Sequence, residues 1–295
     1  MMRKSIVITG CSSGFGRATA LELATRGWHV FATVRKEEDR ASLLDEATLM
    51  QCRNNITPLL CDITQSEQVA ALGQKVEDLL CAELAAERSN RMPGLDALLN
   101  NAGTAYAGPI ELVSLDDIRA QFEINVFAHI AVTQALLPLL KTAKGTIINV
   151  SSISGRISVP VTGLYSGSKY ALEGISDALR LELAPFGVRV VMIEPASSPT
   201  SIWKTSLERS QQRLGDSAEH SAYIRLVEYS ERMANEFGRK GFPVQKFVDV
   251  VIKVLGSPRP CARYGVPSSA TTLMLLRRLT PDFLWDAIIR LAMRW

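Results

Sequence analysis

Histidine is scarce in this chain. There are three, His29, His129 and His220, and none neighbours another metal-type ligand, which argues against a metal centre. Cysteine offers no scaffold either. The five present (Cys11, Cys52, Cys61, Cys81 and Cys261) are an odd number and contain no Cys-x-x-Cys pair. Neither a disulfide framework nor a zinc site is indicated, and a reducing compartment fits best. An excess of one charge is also missing. A net charge of +3 with 21% charged residues gives no basis for nucleic acid as a partner. No Gly-x-Ser-x-Gly elbow occurs and no histidine is placed for a triad, so a serine hydrolase on an α/β sheet is disfavoured. Near the N-terminus, Ile6-Val7-Ile8 is too short for a signal peptide or a membrane span. The expectation is a cytoplasmic protein, with membrane association left open by its C-terminal end. No internal repeat or low-complexity tract is present.

What the chain does have is alternation. Short runs rich in Val, Ile and Leu lie at Ser5–Thr9, His29–Val34, Ile56–Leu60, Leu95–Leu99, Thr146–Val150 and Val188–Ile193. They lack strict polar alternation, as strands buried on both faces should. Helix-period segments separate them near Gly14–Arg26, Glu37–Cys52, Ser66–Glu87, Ser114–Lys141 and Gly163–Pro185. Strand–helix alternation of this kind predicts a Rossmann-type, doubly wound parallel sheet in a three-layer α/β/α sandwich. A single domain over 1–267 is expected, with a last strand at Arg263–Pro267 and a tail at 268–295 belonging to the same domain. A polar insertion, Ala85–Pro93, reads as a surface loop. A longer one, about 197–241, carries Trp203, Tyr223, Tyr229 and Phe237 and follows a strand's carboxyl end, where ligands bind in open α/β sheets.

Between the first strand and first helix runs Thr9-Gly10-Cys11-Ser12-Ser13-Gly14-Phe15-Gly16. Gly10 would permit a tight turn, Gly14 a close approach of backbone to a pyrophosphate, and Gly16 close helix–strand packing. The helix N-terminus would offer N–H groups to the phosphates. The spacing is Gly-x-x-x-Gly-x-Gly, and such a turn can be only a turn. The second strand ends in Arg35 and Lys36, with no acid to grip a ribose 2′-hydroxyl. Arg35 suits a 2′-phosphate, so NADP is expected over NAD; the alternative is a solvated loop pair.

Tyr165 and Lys169 stand four residues apart, on one face of a helix, and Ser152 lies thirteen residues upstream. A phenol titrates near ~10 unperturbed, and a nearby ammonium would lower that value toward useful proton transfer. The triplet suggests an alcohol or carbonyl substrate. Asn125 is polar within an apolar run and, once buried, needs partners. Asp62 suits capping of the following helix, and His129 reads as a packed helix residue.

Taken together, Thr9 to Gly16, Asp62, Asn101-Ala102-Gly103, Asn125, Ser152 and Tyr165…Lys169 resemble the motifs of the classical short-chain dehydrogenase/reductase family, in order over most of residues 5–200. Within it, the chain is most similar to the 17β-hydroxysteroid and retinol dehydrogenase-like branch, through Val30-Phe31-Ala32-Thr33-Val34-Arg35 and Tyr165-Ser166-Gly167-Ser168-Lys169-Tyr170-Ala171-Leu172-Glu173-Gly174. The resemblance implies hydride transfer at a nicotinamide, with Tyr165 as general acid/base and Lys169 lowering its pKa and holding the ribose. Ser152 would orient the carbonyl, and Asn125 would hold a relay water. The cofactor contacts it implies are the glycine turn with Ser12, Ser13 and Phe15, then Arg35, Asp62 with Ile63, Asn101 with Ala102 and Gly103, and Pro195. Thr200 would meet the carboxamide. One departure stands out: Ala196 follows Pro195 where the family commonly has glycine. If that position needs a positive φ, Ala196 strains it. The family also implies a dimer or tetramer through the two long helices.

The tail is dense in large apolar residues, with Arg277, Arg278, Arg290 and Arg294 among them. It could pack over the substrate mouth, line a dimer contact, lie on an anionic membrane as a basic amphipathic helix, or simply pack on the domain. With the insertion, it favours a lipophilic alcohol or carbonyl substrate of steroid, retinoid or long-chain type. The rival reading is a non-catalytic NADP-binding sensor or scaffold on the same fold.

Overall fold

The computed structural model describes residues 3–198, 206, 223–229, 231–232 and 241–293. Seven strands, β1 (Ser5–Ile8), β2 (His29–Val34), β3 (Ile56–Leu60), β4 (Ala97–Asn100), β5 (Thr146–Val150), β6 (Arg189–Pro195) and β7 (Arg263–Val266), form one parallel sheet in the order β3-β2-β1-β4-β5-β6-β7. Every strand runs the same way, but the side on which successive strands are added switches between β1 and β4. That switch point opens a crevice at the carboxyl ends of the strands.

Alternate residues of one strand serve opposite layers. Ile6 and Ile8 face a core built with α1 (Gly14–Thr25), α2 (Glu37–Leu49) and the Val244–Gly256 helix, whereas Val7 faces a second core built with α3 (Ser66–Ala86) and α5 (Ala128–Ala143). On β2, Val30, Ala32 and Val34 join the first core and Phe31 the second. Both faces being covered, every position of these strands gains from an apolar side chain, each worth roughly 1.5–3 kcal/mol when fully buried.

Element ends depart from the sequence pattern where backbone groups find local partners. The helix expected to reach Cys52 stops at Leu49. Gln51 adopts φ +57°, and the N–H groups of Gln51 and Cys52 close onto the carbonyls of Thr48 and Ala47, a left-handed helix stop. Leu95 was expected to open a strand, but its N–H bonds to the Leu139 carbonyl of α5 and pairing begins at Ala97.

The long helix expected near Ser114–Lys141 is α4 (Leu115–Phe122) and α5, joined by a π turn over Glu123–Phe127. By length and composition this continuous helix, Leu115–Ala143, could cross a membrane, but half of the relevant stretch is buried inside the protein, as in a core helix. The tail forms two helices, Ser268–Leu279 and Asp282–Met293.

Candidate active site

The glycine turn is built around close backbone contacts. Gly10 takes φ +72° and Gly14 φ +58°. A Cβ on Gly10 would lie 2.8 Å from the Ala102 Cα, and one on Gly16 would overlap the Gly10 carbonyl and the Asn101 amide. The Thr9 hydroxyl accepts hydrogen bonds from the N–H groups of Asn101 (2.9 Å) and Ala102 (3.0 Å). Asn101 Nδ2 donates back to the carbonyls of Thr9 and Gly10, at 2.9 and 3.2 Å. The turn after β1 and the loop after β4 are thereby one unit.

At the start of α1, Ser13 occupies the N-cap position without turning its hydroxyl onto the helix, and the first turn carries no acid. The N–H groups and the dipole there are available to an anion. Ser12 is half-buried beside the exposed Ser13, and Phe15 packs on Phe247 with ring centroids 4.2 Å apart. The Phe15 ring thus secures the helix from its core side. Arg35 is exposed at the end of β2 and makes no ion pair or hydrogen bond among the described residues. By contrast Arg17 is committed to Glu46 and Ser42, and Arg40 to Glu37.

Asp62 does not cap α3. Its Oδ1 accepts from the Thr64 N–H (3.0 Å) and hydroxyl (2.8 Å), an Asx-type turn that shapes the loop with Ile63 buried beside it.

Ser152, Tyr165 and Lys169, the residues expected to handle the proton, meet beyond the carboxyl end of β5. Ser152 follows β5; its hydroxyl accepts from the Ser154 N–H (3.1 Å), lies 3.4 Å from the Pro195 carbonyl and hydrogen-bonds the Tyr165 phenol. Tyr165 and Lys169 stand one turn apart on α6 (Gly163–Leu183), both buried. Lys169 Nζ donates to the Val150 carbonyl at 2.8 Å and lies 5.8 Å from the centroid of the Tyr165 ring.

The acidity of the phenol differs from the expectation. Burial pushes Tyr165 up to about 12, and only the Ser152 hydrogen bond pulls it down. Burial pushes Lys169 down to about 8, with the Glu173 carboxylate pulling back up. In the protein alone, desolvation outweighs any pull of the ammonium on the phenol.

Asn125 sits fully buried in the π turn. Its Oδ1 accepts from the Thr104 N–H (2.9 Å), and its Nδ2 donates to the Thr104 carbonyl (3.0 Å) and the Ser168 hydroxyl (3.1 Å). The side chain is a clamp on the loop after Gly103, where an added Cβ would meet Asn125 Oδ1 at 3.4 Å and Lys169 Nζ at 3.9 Å. His129 is a packed helix residue, its Nε2 donating to the Ala102 carbonyl at 2.6 Å; burial first, and then the Lys169 charge, lower its pKa to about 3.

Pro195 ends β6 beside Ser152. Ala196 is not among the left-handed residues and continues the ladder, its N–H bonding the Val266 carbonyl at 2.7 Å. The anticipated strain is absent because extended backbone at this point suits any L-residue. Thr200, Trp203 and Phe237 lie outside the described residues.

Sequence reasoning missed the charged cluster beneath Lys169. Glu173 is one turn further along α6, in step with Tyr165 and Lys169, so its spacing was readable. Arg263 lies 3.1 Å from Glu173 and 3.6 Å from Glu194, and Arg156 lies 3.2 Å from Glu194. These partners come from three separate segments, and no local pattern announces them.

A dinucleotide-type fold with a serine–tyrosine–lysine site defines an oxidoreductase architecture, and comparison with known proteins agrees. A family model described as short chain dehydrogenase matches residues 4–211. The chain is 36% identical to the uncharacterized oxidoreductase YusZ of Bacillus subtilis, covering 98% of both chains. It is 33% identical to the NADPH-dependent 3-dehydrocapnine reductase of Ornithobacterium rhinotracheale, covering 96% of this chain and 94% of that one. It is 32% identical to human retinol dehydrogenase 16, covering 97% and 87%.

Among solved structures, a short-chain dehydrogenase from Streptomyces avermitilis superposes with a TM-score of 0.73 at 26% identity over 98% of both chains. One from Burkholderia phymatum in complex with NAD (0.73, 22%, covering 94% and 93%) and one from Burkholderia cenocepacia in complex with NADP (0.66, 24%, covering 95% and 98%) share the fold. The chain belongs to the short-chain dehydrogenase family and is an oxidoreductase of the class acting on CH–OH groups. The tight glycine cradle, the open α1 N-terminus and the uncommitted Arg35 fit a nicotinamide dinucleotide.

Proposed function

We propose that this protein is an NADP(H)-dependent oxidoreductase that interconverts a lipophilic alcohol and its ketone or aldehyde. The observation that carries the reading is the convergence of Ser152, Tyr165 and Lys169 beside the glycine cradle. The cofactor choice rests on Arg35, uncommitted at the end of a strand that carries no acid. A relative described as NADPH-dependent and another described as a retinol dehydrogenase support the cofactor and the substrate class respectively.

When bound, the nicotinamide supplies or takes up the hydride. The glycine turn and the N–H groups of α1 would hold the pyrophosphate, and Arg35 the 2′-phosphate. In reduction, the Ser152 hydroxyl holds the carbonyl oxygen and Tyr165 Oη gives it a proton as the carbonyl carbon gains the hydride. A phenol raised to about 12 is protonated at neutral pH, the state that reduction requires. Lys169, in hydrogen-bond contact with the backbone of β5, returns a proton toward the tyrosinate. Asn125 fixes the Thr104 backbone of the loop after β4 through both its amide atoms.

NADPH and NADH oxidation against a panel of ketones and aldehydes tests the proposal. NADPH use with apolar carbonyls is expected. Exclusive NADH use overturns the Arg35 argument, and turnover of small polar carbonyls alone overturns the substrate class. Arg35→Ala should raise the NADPH Kd by about 10-fold or more while leaving NADH unaffected, since a charge-assisted hydrogen bond contributes about 1.5–3 kcal/mol.

A further inference from the structure

The two tail helices expose an unusual share of the apolar surface. Of the nineteen large hydrophobic residues exposed among the described residues, eight lie between Leu273 and Leu291. Their arrangement follows the helix period. On Asp282–Met293, the residues Leu284, Ala287, Ile288 and Leu291 recur at i, i+3, i+4 and i+7 and are all exposed, Leu291 at 82%. The inner side of the same helix presents Ile289 and Met293, which pack with Val161, Leu226, Tyr223 and Tyr229. On Ser268–Leu279, Ala270 and Met274 face inward, while Leu275, Leu276 and Leu279 face out. Both helices are therefore apolar on the side away from the protein, the reverse of an ordinary surface helix.

Charge selects what covers this face. Arg277 is paired with Asp282 (2.7 Å) and stands over Trp285. Arg278 and Arg290 are exposed and have no ion pair among the described residues. By helical spacing, Arg278 stands beside Leu275 and Arg290 is in line with the exposed Phe283, with Asp286 one turn before Arg290 on the edge toward Met293. Arginines flanking an apolar stripe can lay their stems along it and carry their guanidinium groups to headgroup phosphates. Joining this face to a second copy would bring two arginine-flanked stripes together, with Asp286 beside Arg290 as the one exposed acid on that helix not already paired to Arg277 and none beside Arg278 on its own helix.

Position adds a second argument. Val161 precedes the helix that carries Tyr165, and Ala107, packed in the same cluster, follows the loop after β4. The inner face of the last helix thus borders the carboxyl edge of the sheet, where the site lies.

We infer that Leu275, Leu276, Leu279, Phe283, Leu284, Ile288 and Leu291, flanked by Arg278 and Arg290, dock this protein on an anionic lipid bilayer beside the mouth of its active site. Substrate then reaches Tyr165 from the bilayer side. That last step rests on the lipophilic-substrate reading, whereas docking itself does not.

The test is co-sedimentation of the full chain with vesicles of phosphatidylcholine alone or mixed with phosphatidylglycerol, with no substrate or cofactor added. Sedimentation with the mixed vesicles is expected. A Leu284→Ser/Ile288→Ser/Leu291→Ser variant should bind at least tenfold more weakly while still melting in one cooperative transition, because none of the three side chains belongs to the buried core. Arg278→Gln and Arg290→Gln should each cost about fivefold on the anionic vesicles and little on the neutral ones.

Absence of vesicle binding, or equal binding by the triple variant, overturns the proposal. A triple variant that shifts from dimer to monomer in sedimentation velocity, with no vesicle binding by the parent chain, also overturns it and makes the face a contact between copies. Because the vesicle assay contains no substrate, its failure leaves the oxidoreductase reading standing, and failure of the ketone panel leaves docking standing.

Discussion

Tyr165, Lys169 and Glu173 form a ladder of titratable side chains along α6, each buried and each one turn from the next. Removing the phenolic oxygen alone, as Tyr165→Phe, should lower kcat by about 10²–10⁴ with little change in NADPH affinity, read by steady-state kinetics and a cofactor fluorescence titration. Unchanged turnover would instead favour the non-catalytic scaffold. Glu173 holds the Lys169 pKa up against burial. Glu173→Gln should therefore move the alkaline limb of the kcat/KM profile to lower pH, and an unmoved limb would show that Glu173 only packs.

Glu194 titrates in the opposite sense. Burial first, and then the Glu173 charge, push it up from 4.5 to about 7 against the pull of Arg156 and Arg263. Between those values the folded protein binds a proton that the unfolded chain does not. Its contribution to stability is thus present at low pH and is lost as pH rises through about 7. Thermal melts of Glu194→Gln should show a shallower decline from pH 5 to 8 than the parent chain.

At the scale of elements, the glycine turn tolerates the least. Gly16→Ala places a methyl on the Gly10 carbonyl and the Asn101 amide. About 1–3 kcal/mol of stability should be lost in urea unfolding, along with most cofactor binding, because the displaced groups form the cradle. Ala196→Gly should do the opposite of restoring a family feature. With no left-handed backbone to relieve, it should cost about 0.5–1 kcal/mol and leave activity unchanged. The glycine turn was legible in the sequence because its spacing sits between a strand and a helix. The π turn was not. Its extra residue leaves the apolar period of the long helix almost intact, and only the buried Asn125 hinted at a break.

For the whole molecule, strand identity was legible and cross-chain chemistry was not. Six apolar runs and one terminal strand read from sequence are the seven strands observed, since burial on both faces imposes composition directly. The salt-bridge cluster of Arg156, Glu173, Glu194 and Arg263 joins α6, β6 and β7, and the hydrogen bonds between Asn125 and Thr104 join the π turn to the loop after β4. Such pairings exist only after folding. Outside the site, a groove between α5 and α6 is lined by Ile130, Leu137, Leu172, Ile175 and Leu179. We propose that a homo-oligomer forms there, and Ile175→Arg should then reduce the mass measured by light scattering to that of one chain.

The paired bonds between Thr9 and the Asn101–Ala102 backbone also reach beyond geometry. They tie two adjacent central strands, β1 and β4, at the switch point. The amide hydrogens of Asn101 and Ala102 should therefore exchange with deuterium only as slowly as the sheet itself opens, with or without cofactor. In Thr9→Val, which keeps the shape but loses the acceptor, that exchange should become fast and responsive to ligand.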